Sequence, residues 1–171
     1  MGNSRIILIT GGQRSGKSAF SEAKALELSE NPVYLATAHV MDDEFRERVK
    51  IHQNRRGPQW STIEEEVYLS RHDMTGKTVV IDCVTMWITN VFFSHGEDVG
   101  KSLEILKKEF SEFTSRPGNY IFVSNEIGSG VIGATALERK FTDLQGWFNQ
   151  FIASNADEVY LSVAGIPVKI K

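Results

Sequence analysis

The sequence predicts an α/β fold: a three-layer sandwich with helices on both faces of a mostly parallel sheet and a C-terminal antiparallel strand. Three observations predict it. Short apolar runs rich in β-branched residues alternate with stretches of helical periodicity along the chain. A Gly-rich turn, Gly11-Gly12-Gln13-Arg14-Ser15-Gly16-Lys17-Ser18, joins the first such run to the first helical stretch. Near the end, the strand-like segments Glu158 to Val163 and Pro167 to Lys171 are joined only by Ala164-Gly165-Ile166. So short a connection makes them antiparallel neighbours.

Ile6-Ile7-Leu8-Ile9-Thr10 reads as a buried first strand. The turn after it has the form G-x-x-x-x-G-K-S, the phosphate-binding P-loop pattern, which makes the expected fold P-loop NTPase-type. Its glycines let successive N–H groups point inward, and the helix that begins near Gly16 adds its positive dipole end. Lys17 can reach the β and γ phosphates, and the Ser18 hydroxyl can ligate Mg²⁺. A first helix is expected from Lys17 to Ser29, ending before Asn31-Pro32.

Val33 to Thr37 reads as the second strand. The segment Asp42 to His52 opens acidic and closes basic, as a helix dipole favours. Met41, Phe45, Val49 and His52 share one face of that helix; Glu44, Arg48, His52 and Arg55 share the next. Gly57-Pro58 breaks it. Trp60 to Leu69 reads as a short strand or loop followed by a helical turn. Thr78 to Asp82 is the third strand, and an acid at its end suits a place beside Mg²⁺. Met86 to Phe93 is expected to be helical and Gly96 to Gly100 a loop. Leu103, Leu106, Phe110 and Phe113 give an amphipathic helix over Lys101 to Thr114, closed by Arg116-Pro117-Gly118. Tyr120 to Val123 is the fourth strand, running out through Ser124-Asn125-Glu126. Gly128, Gly130 and Gly133 mark a loop. Thr135 and Glu138 form a capping box for a helix to about Asn155, with Leu137, Phe141, Leu144, Phe148 and Ile152 on one face.

The chain has 171 residues, with 41% hydrophobic and 24% charged, and is expected to form a single domain. A net charge of -3 gives no electrostatic case for nucleic acid or an anionic membrane. The lone cysteine, Cys83, excludes an internal disulfide and fits a cytoplasmic setting. No apolar run approaches the ~20 residues that span a bilayer, and residues 1–5 do not read as a signal peptide. The P-loop, Thr37, Asp82 and Asn125-Glu126 all fall at carboxyl ends of strands, where ligands bind in open α/β sheets.

A P-loop indicates a nucleoside triphosphate but does not choose among kinase, nucleotidyltransferase and switch. Further motifs do. The segment Thr10 to Ser18, with Arg14-Ser15 before Gly16-Lys17-Ser18, resembles the bifunctional adenosylcobinamide kinase/adenosylcobinamide-phosphate guanylyltransferase family of cobalamin (vitamin B12) biosynthesis. So do Tyr34-Leu35-Ala36-Thr37-Ala38, the stretch Asp42 to Val49 before His52, Asp82-Cys83-Val84-Thr85 with Thr89-Asn90, and Asn125 to Gly130. The tail from Asn149 to Lys171 is also similar, so the resemblance covers nearly the whole chain.

The resemblance implies two reactions at one nucleotide site. One phosphorylates the aminopropanol hydroxyl of adenosylcobinamide. The other moves GMP from GTP to that phosphate through a guanylyl-histidine, giving adenosylcobinamide-GDP and pyrophosphate. It implies His52 as the nucleophile, and an imidazole of ordinary pKa, ~6.5, is largely neutral at pH 7. It carries over nucleotide contacts at Thr37, Ala38, His39, Gln53, Asn54, Arg55, Arg56 and Glu64, and places Asp82 on the Mg²⁺ side with Ser18. It also implies a corrinoid small-molecule substrate, GTP and ATP as nucleotides, and a homotrimer.

Alternatives stay open at several positions, and Asp82 also suits a surface acid at a strand end. His52 also suits packing beside Phe45 and Val49. Glu64 also suits a solvated place in the acidic run Glu64-Glu65-Glu66. Asn125-Glu126 suits contact with nucleotide or cobinamide, or shaping of the loop alone. Two other functions remain: a P-loop small-molecule kinase without a covalent intermediate, which transfers only the γ-phosphate, and a nucleotide-dependent switch, which binds without turnover.

Overall fold

The computed structural model describes residues 3–38 and 56–171. The helix expected over 42–52 lies outside the described residues, as do His39, His52, Gln53, Asn54 and Arg55.

The apolar runs form strands β1 (Ser4–Gly11), β2 (Val33–Ala36), β3 (Ser61–Glu64), β4 (Thr78–Asp82), β5 (Gly118–Val123), β6 (Glu158–Val163) and β7 (Ile166–Lys169). The α-helices among the described residues are α1 (Lys17–Leu28), α2 (Val84–Ser94), α3 (Val99–Thr114) and α4 (Ala136–Asn155). One sheet joins the strands in the order β3-β2-β4-β5-β1-β6-β7. Every pairing is parallel except β6 with β7, where the turn through Ala164 and Gly165 reverses the chain. Both residues have positive φ, which a two-residue turn between twisted strands requires.

Alternation along the central strands builds two cores. Ile7, Ile9, Val80, Ile121 and Val123 face α1, against Phe20, Ala25 and Leu28. Ile6, Leu8, Ile81, Tyr120 and Phe122 face the opposite layer, against Trp87 of α2, Leu106 and Phe110 of α3, and Leu144, Phe148 and Ile152 of α4. The expected three layers are therefore present: α1 on one face, α2, α3 and α4 on the other. Strands apolar on both faces are what a covered parallel sheet requires.

The structure refines several boundaries. Residues 61–64 pair with β2 as a parallel edge strand, so the strand ending in Asp82 is fourth in chain order. The segment Gly96 to Gly100 is not wholly loop. Asp98 caps α3 by accepting from the Lys101 N–H at 2.9 Å, so the helix starts at Val99 and takes in Gly100. The capping box at Thr135 and Glu138 is complete, each side chain accepting from the other's backbone N–H.

Candidate active site

Strand β1 ends at Gly11 and α1 begins at Lys17, so the intervening loop curls at the carboxyl edge of the sheet. Gly11 has a φ of 148°, and a Cβ there would lie 2.4 Å from the Ser162 carbonyl oxygen. The position has no room for a side chain. Gly16, at a φ of 96°, is the N-cap of α1 and supplies no side-chain cap. The first N–H groups of the helix thus keep their capacity to bind an anion. Gln13 and Arg14 are exposed, and Arg14 has a φ of 58°.

Ser15 is buried, and its carbonyl accepts from the Ser162 hydroxyl at 2.5 Å and the Gly165 N–H at 2.9 Å. The β6–β7 hairpin therefore holds the loop from outside. Lys17 is 7% exposed and folds over the loop, donating to the Gly12 carbonyl at 2.5 Å. Burial pulls its pKa below the ordinary 10.5, with Asp82 and Cys83 acting the other way. A buried ammonium held mainly by carbonyl and hydroxyl oxygens is poised for phosphate oxygens.

Ser18, in the first turn of α1, donates to Asp82 Oδ2 at 3.0 Å. Tyr34 of β2 donates to the same oxygen, also at 3.0 Å. Burial and the neighbouring Asp82 push the Tyr34 phenol up, so it remains a donor. The serine and carboxylate oxygens are hard ligands at the separation of adjacent corners of an octahedron with ~2.1 Å bonds, which fits Mg²⁺. Among the described residues there is no group of three or more His, Cys, Asp and Glu that could hold a metal ion.

Thr37 is fully buried beside this point. Its N–H donates to the Asp82 carbonyl at 3.2 Å and its hydroxyl to the Cys83 carbonyl at 2.7 Å. Asn90 of α2 donates to the Thr37 carbonyl at 2.8 Å. Ala38 follows, half-buried. Glu64 is exposed at the end of β3, paired in register with Ala36, so it stands on the rim one strand beyond Thr37. The Arg56 guanidinium stacks 3.5 Å from the Tyr34 ring centroid and pairs with Glu22 of α1 at 3.8 Å. Its side chain is 4% exposed, so it is engaged by protein.

The described residues thus bring together the Gly-rich loop, Lys17, Ser18, Thr37, Ala38 and Asp82, with Glu64 at the margin and Arg56 turned onto Tyr34. Sequence reasoning gave no role to Tyr34, Ser162, Gly165 or Glu22 as supports. The signals were slight: a phenol within a strand, and one serine within the apolar run of β6. Each acts across long sequence separation, which periodicity does not report.

A mostly parallel sheet whose first strand runs through this loop into α1, facing an acid at the end of β4, defines a P-loop NTPase-type protein. Within that class, the family model described as cobinamide kinase / cobinamide phosphate guanyltransferase matches residues 7–170, and the chain belongs to that family. It is 36% identical over 169 residues to the bifunctional adenosylcobalamin biosynthesis protein CobP of Pseudomonas aeruginosa, covering 96% of each chain. It is 35% identical over 181 residues to the bifunctional adenosylcobalamin biosynthesis protein CobU of Escherichia coli, covering 97% of this chain and 99% of that one. The CobU protein of Salmonella typhimurium is 32% identical over 184 residues, with 97% and 99% covered. The family makes the chain an enzyme of kinase and nucleotidyltransferase type in cobalamin synthesis. No helix among the described residues is long and apolar enough to cross a membrane.

Proposed function

We propose that this chain phosphorylates adenosylcobinamide and then transfers GMP from GTP to the resulting phosphate, as one P-loop domain working in the cytoplasm with Mg²⁺. The observation that carries the reading is the Ser18–Asp82 pair at 3.0 Å beside a buried Lys17 and an uncapped helix N-terminus. Mg²⁺ bound by Ser18 and Asp82 would neutralise charge on phosphate oxygens. Lys17 and the loop N–H groups bind and orient the same oxygens. In the kinase step the substrate hydroxyl oxygen bonds to the γ-phosphorus, the β–γ bridge breaks, and the hydroxyl proton passes to solvent.

In the guanylyl step a neutral His52 nitrogen attacks the α-phosphorus and pyrophosphate leaves with the bond pair. An oxygen of adenosylcobinamide phosphate then attacks the same phosphorus, the P–N bond breaks, and the imidazole is restored. Splitting one displacement in two suits a single nucleotide site serving two acceptors. His39, Gln53, Asn54, Arg55 and Glu64 line the nucleotide on that side in this reading, whereas Arg56 is held on Tyr34 and Glu22. Copies of the chain assemble as a homotrimer. The exposed apolar row of Val163 on β6, Ile166 and Val168 on β7, and Ile170 just beyond it supports an interface between copies.

The test is covalent labelling with Mg²⁺ and GTP carrying label at the α or the γ position. Label retained from α-GTP only, lost in acid, kept in alkali and absent in His52→Ala, is expected. A folded protein that binds GTP yet forms no adduct would sink the histidine mechanism and leave phosphoryl transfer alone.

A further inference from the structure

Strand β5 lies between β4, which ends in Asp82, and β1, which leads into the Gly-rich loop. The β1–β5 ladder continues past the end of β5. The Ser124 N–H donates to the Ile9 carbonyl and the Glu126 N–H to the Gly11 carbonyl, both at 2.9 Å. Asn125 is therefore level with Gly11. It stands two residues beyond Val123, which pairs in register with Asp82. Alternation sets it on the face of Ile121 and Val123, which pack towards α1. That is the face over which the loop turns into α1.

Its backbone is clamped from two helices. The Asn125 N–H donates to Thr85 Oγ1 of α2 at 3.1 Å. Its carbonyl accepts from Gln145 Nε2 and Asn149 Nδ2 of α4, both at 3.3 Å. The Ser124 hydroxyl donates to Asn149 Oδ1 at 2.6 Å and accepts from Gln145 Nε2 at 2.8 Å. Ser124 and Gln145 are buried, and Gln145 Oε1 has no hydrogen-bond partner among the described residues. A carboxamide beside Leu144, with one oxygen unmatched, costs stability that an apolar residue would not. The network fixes one short piece of backbone. The half-buried Asn125 side chain makes no hydrogen bond among the described residues.

We propose that Asn125 is a catalytic residue of the phosphoryl-transfer step, its Nδ2 donating to a non-bridging oxygen of the terminal phosphate of the nucleotide seated on the loop. Thr85, Ser124, Gln145 and Asn149 are positioning residues that hold it there. The inference rests on the nucleotide-site reading above. Charge on the γ-phosphoryl oxygens is what such a donor stabilises as the substrate hydroxyl attacks and nucleoside diphosphate leaves. In the P-loop pattern the lysine reaches the β and γ phosphates, whereas GMP transfer occurs at the α-phosphate, so the kinase step is the one this residue serves.

The test compares Mg²⁺-dependent affinities for β,γ-imido-GTP and GDP in the wild type, Asn125→Ala, Asn125→Asp and Gln145→Leu, with thermal melts. Asn125→Ala is expected to cut the triphosphate-to-diphosphate affinity ratio about five- to twentyfold, with the GDP affinity within about twofold and the melt unchanged. Asn125→Asp, nearly isosteric but anionic, cuts it further. Gln145→Leu lowers the same ratio without lowering the melting temperature. A ratio within twofold of wild type in both Asn125 variants overturns the assignment. A Gln145→Leu protein with a lower melt and an intact ratio overturns the positioning role. Wild type binding neither nucleotide overturns the nucleotide-site reading and this inference with it, whereas binding with an unchanged ratio overturns the inference alone.

Discussion

The Ser18 hydroxyl and the Asp82 carboxylate, 64 residues apart in sequence, meet at 3.0 Å above the sheet. The loop-to-helix turn carries Ser18 across from β1, past β5, to the end of β4. The Tyr34 hydroxyl fixes the same carboxylate oxygen from β2. Asp82→Asn keeps the shape and an acceptor for Tyr34 but removes the charge. It is expected to lower turnover by on the order of 10²-fold. The melting temperature should stay within about 2–4 °C of wild type, the shift that ~1 kcal/mol produces in a protein of this size. Steady-state assays against Mg²⁺ concentration, with thermal melts, check this. Loss of the fold rather than of Mg²⁺-dependent rate would make Asp82 a structural acid.

Lys17 costs the empty protein stability, because burial disfavours its charged form. Its folded pKa lies below 10.5, so between that value and 10.5 the unfolded chain binds more protons and stability rises with pH. Lys17→Met removes the charge but not the stem. Its melting temperature at pH 7 is expected to equal or exceed that of the wild type, and the gap should close as pH approaches 10.5. Mg²⁺ with GTP should raise the wild-type melt and leave that of the variant unmoved. Melts from pH 7 to 10, with and without nucleotide, test both halves.

Gly11 and Gly12 separate loop architecture from ligand approach. A Cβ at Gly11 meets the Ser162 carbonyl at 2.4 Å, whereas at Gly12 nothing lies within 4 Å. Gly11→Ala is expected to destabilise by about 1–3 kcal/mol, through overpacking against backbone at a positive φ. Gly12→Ala should leave stability within about 0.5 kcal/mol and weaken nucleotide binding, because its methyl group meets only an incoming phosphate. Urea unfolding and nucleotide titration of the pair settle it; equal destabilisation would contradict the geometry.

The sheet and helices were legible because their signals are local. Ile6 to Thr10, Thr78 to Asp82 and the capping box at Thr135 each declare themselves within ten residues. The place of the Gly-rich loop between β1 and α1 was legible for the same reason. Boundaries moved where a cap outcompeted composition, as when Asp98 drew Gly100 into α3. Edge strand β3 was ambiguous because its register with β2 is set by tertiary pairing of a largely exposed, four-residue segment. The supports of the site were illegible for another reason. Ser162 under Ser15, Tyr34 against Asp82, and Gln145 under Asn125 meet only once the sheet order is fixed. No pattern within β2, β6 or α4 distinguishes them from ordinary polar residues.

The hairpin that steadies the loop has its own pH dependence, centred on Glu158. This carboxylate accepts from Tyr160 at 2.5 Å, pairs with Arg5, and pairs with Lys169 of β7 at 3.2 Å. The Tyr160 hydrogen bond first, then Arg5, hold its carboxyl down to about 2, against an ordinary 4.5. A depressed carboxylate contributes stability that is present above 4.5 and lost as pH falls towards 2. Glu158→Gln removes that contribution, while Arg5 and Lys169, both about half-exposed, stay solvated. The variant is therefore expected to be less stable than wild type at pH 7, with the difference shrinking between pH 4.5 and pH 2. Denaturant midpoints measured down that range check the prediction; parallel curves would show that the pair network leaves the proton affinity of Glu158 unshifted. Because β6 also presents Ser162 to the loop, nucleotide affinity of the variant is expected to fall together with its stability at pH 7. An unchanged affinity would mean that the loop draws its rigidity from Gly11 and α1 rather than from the hairpin.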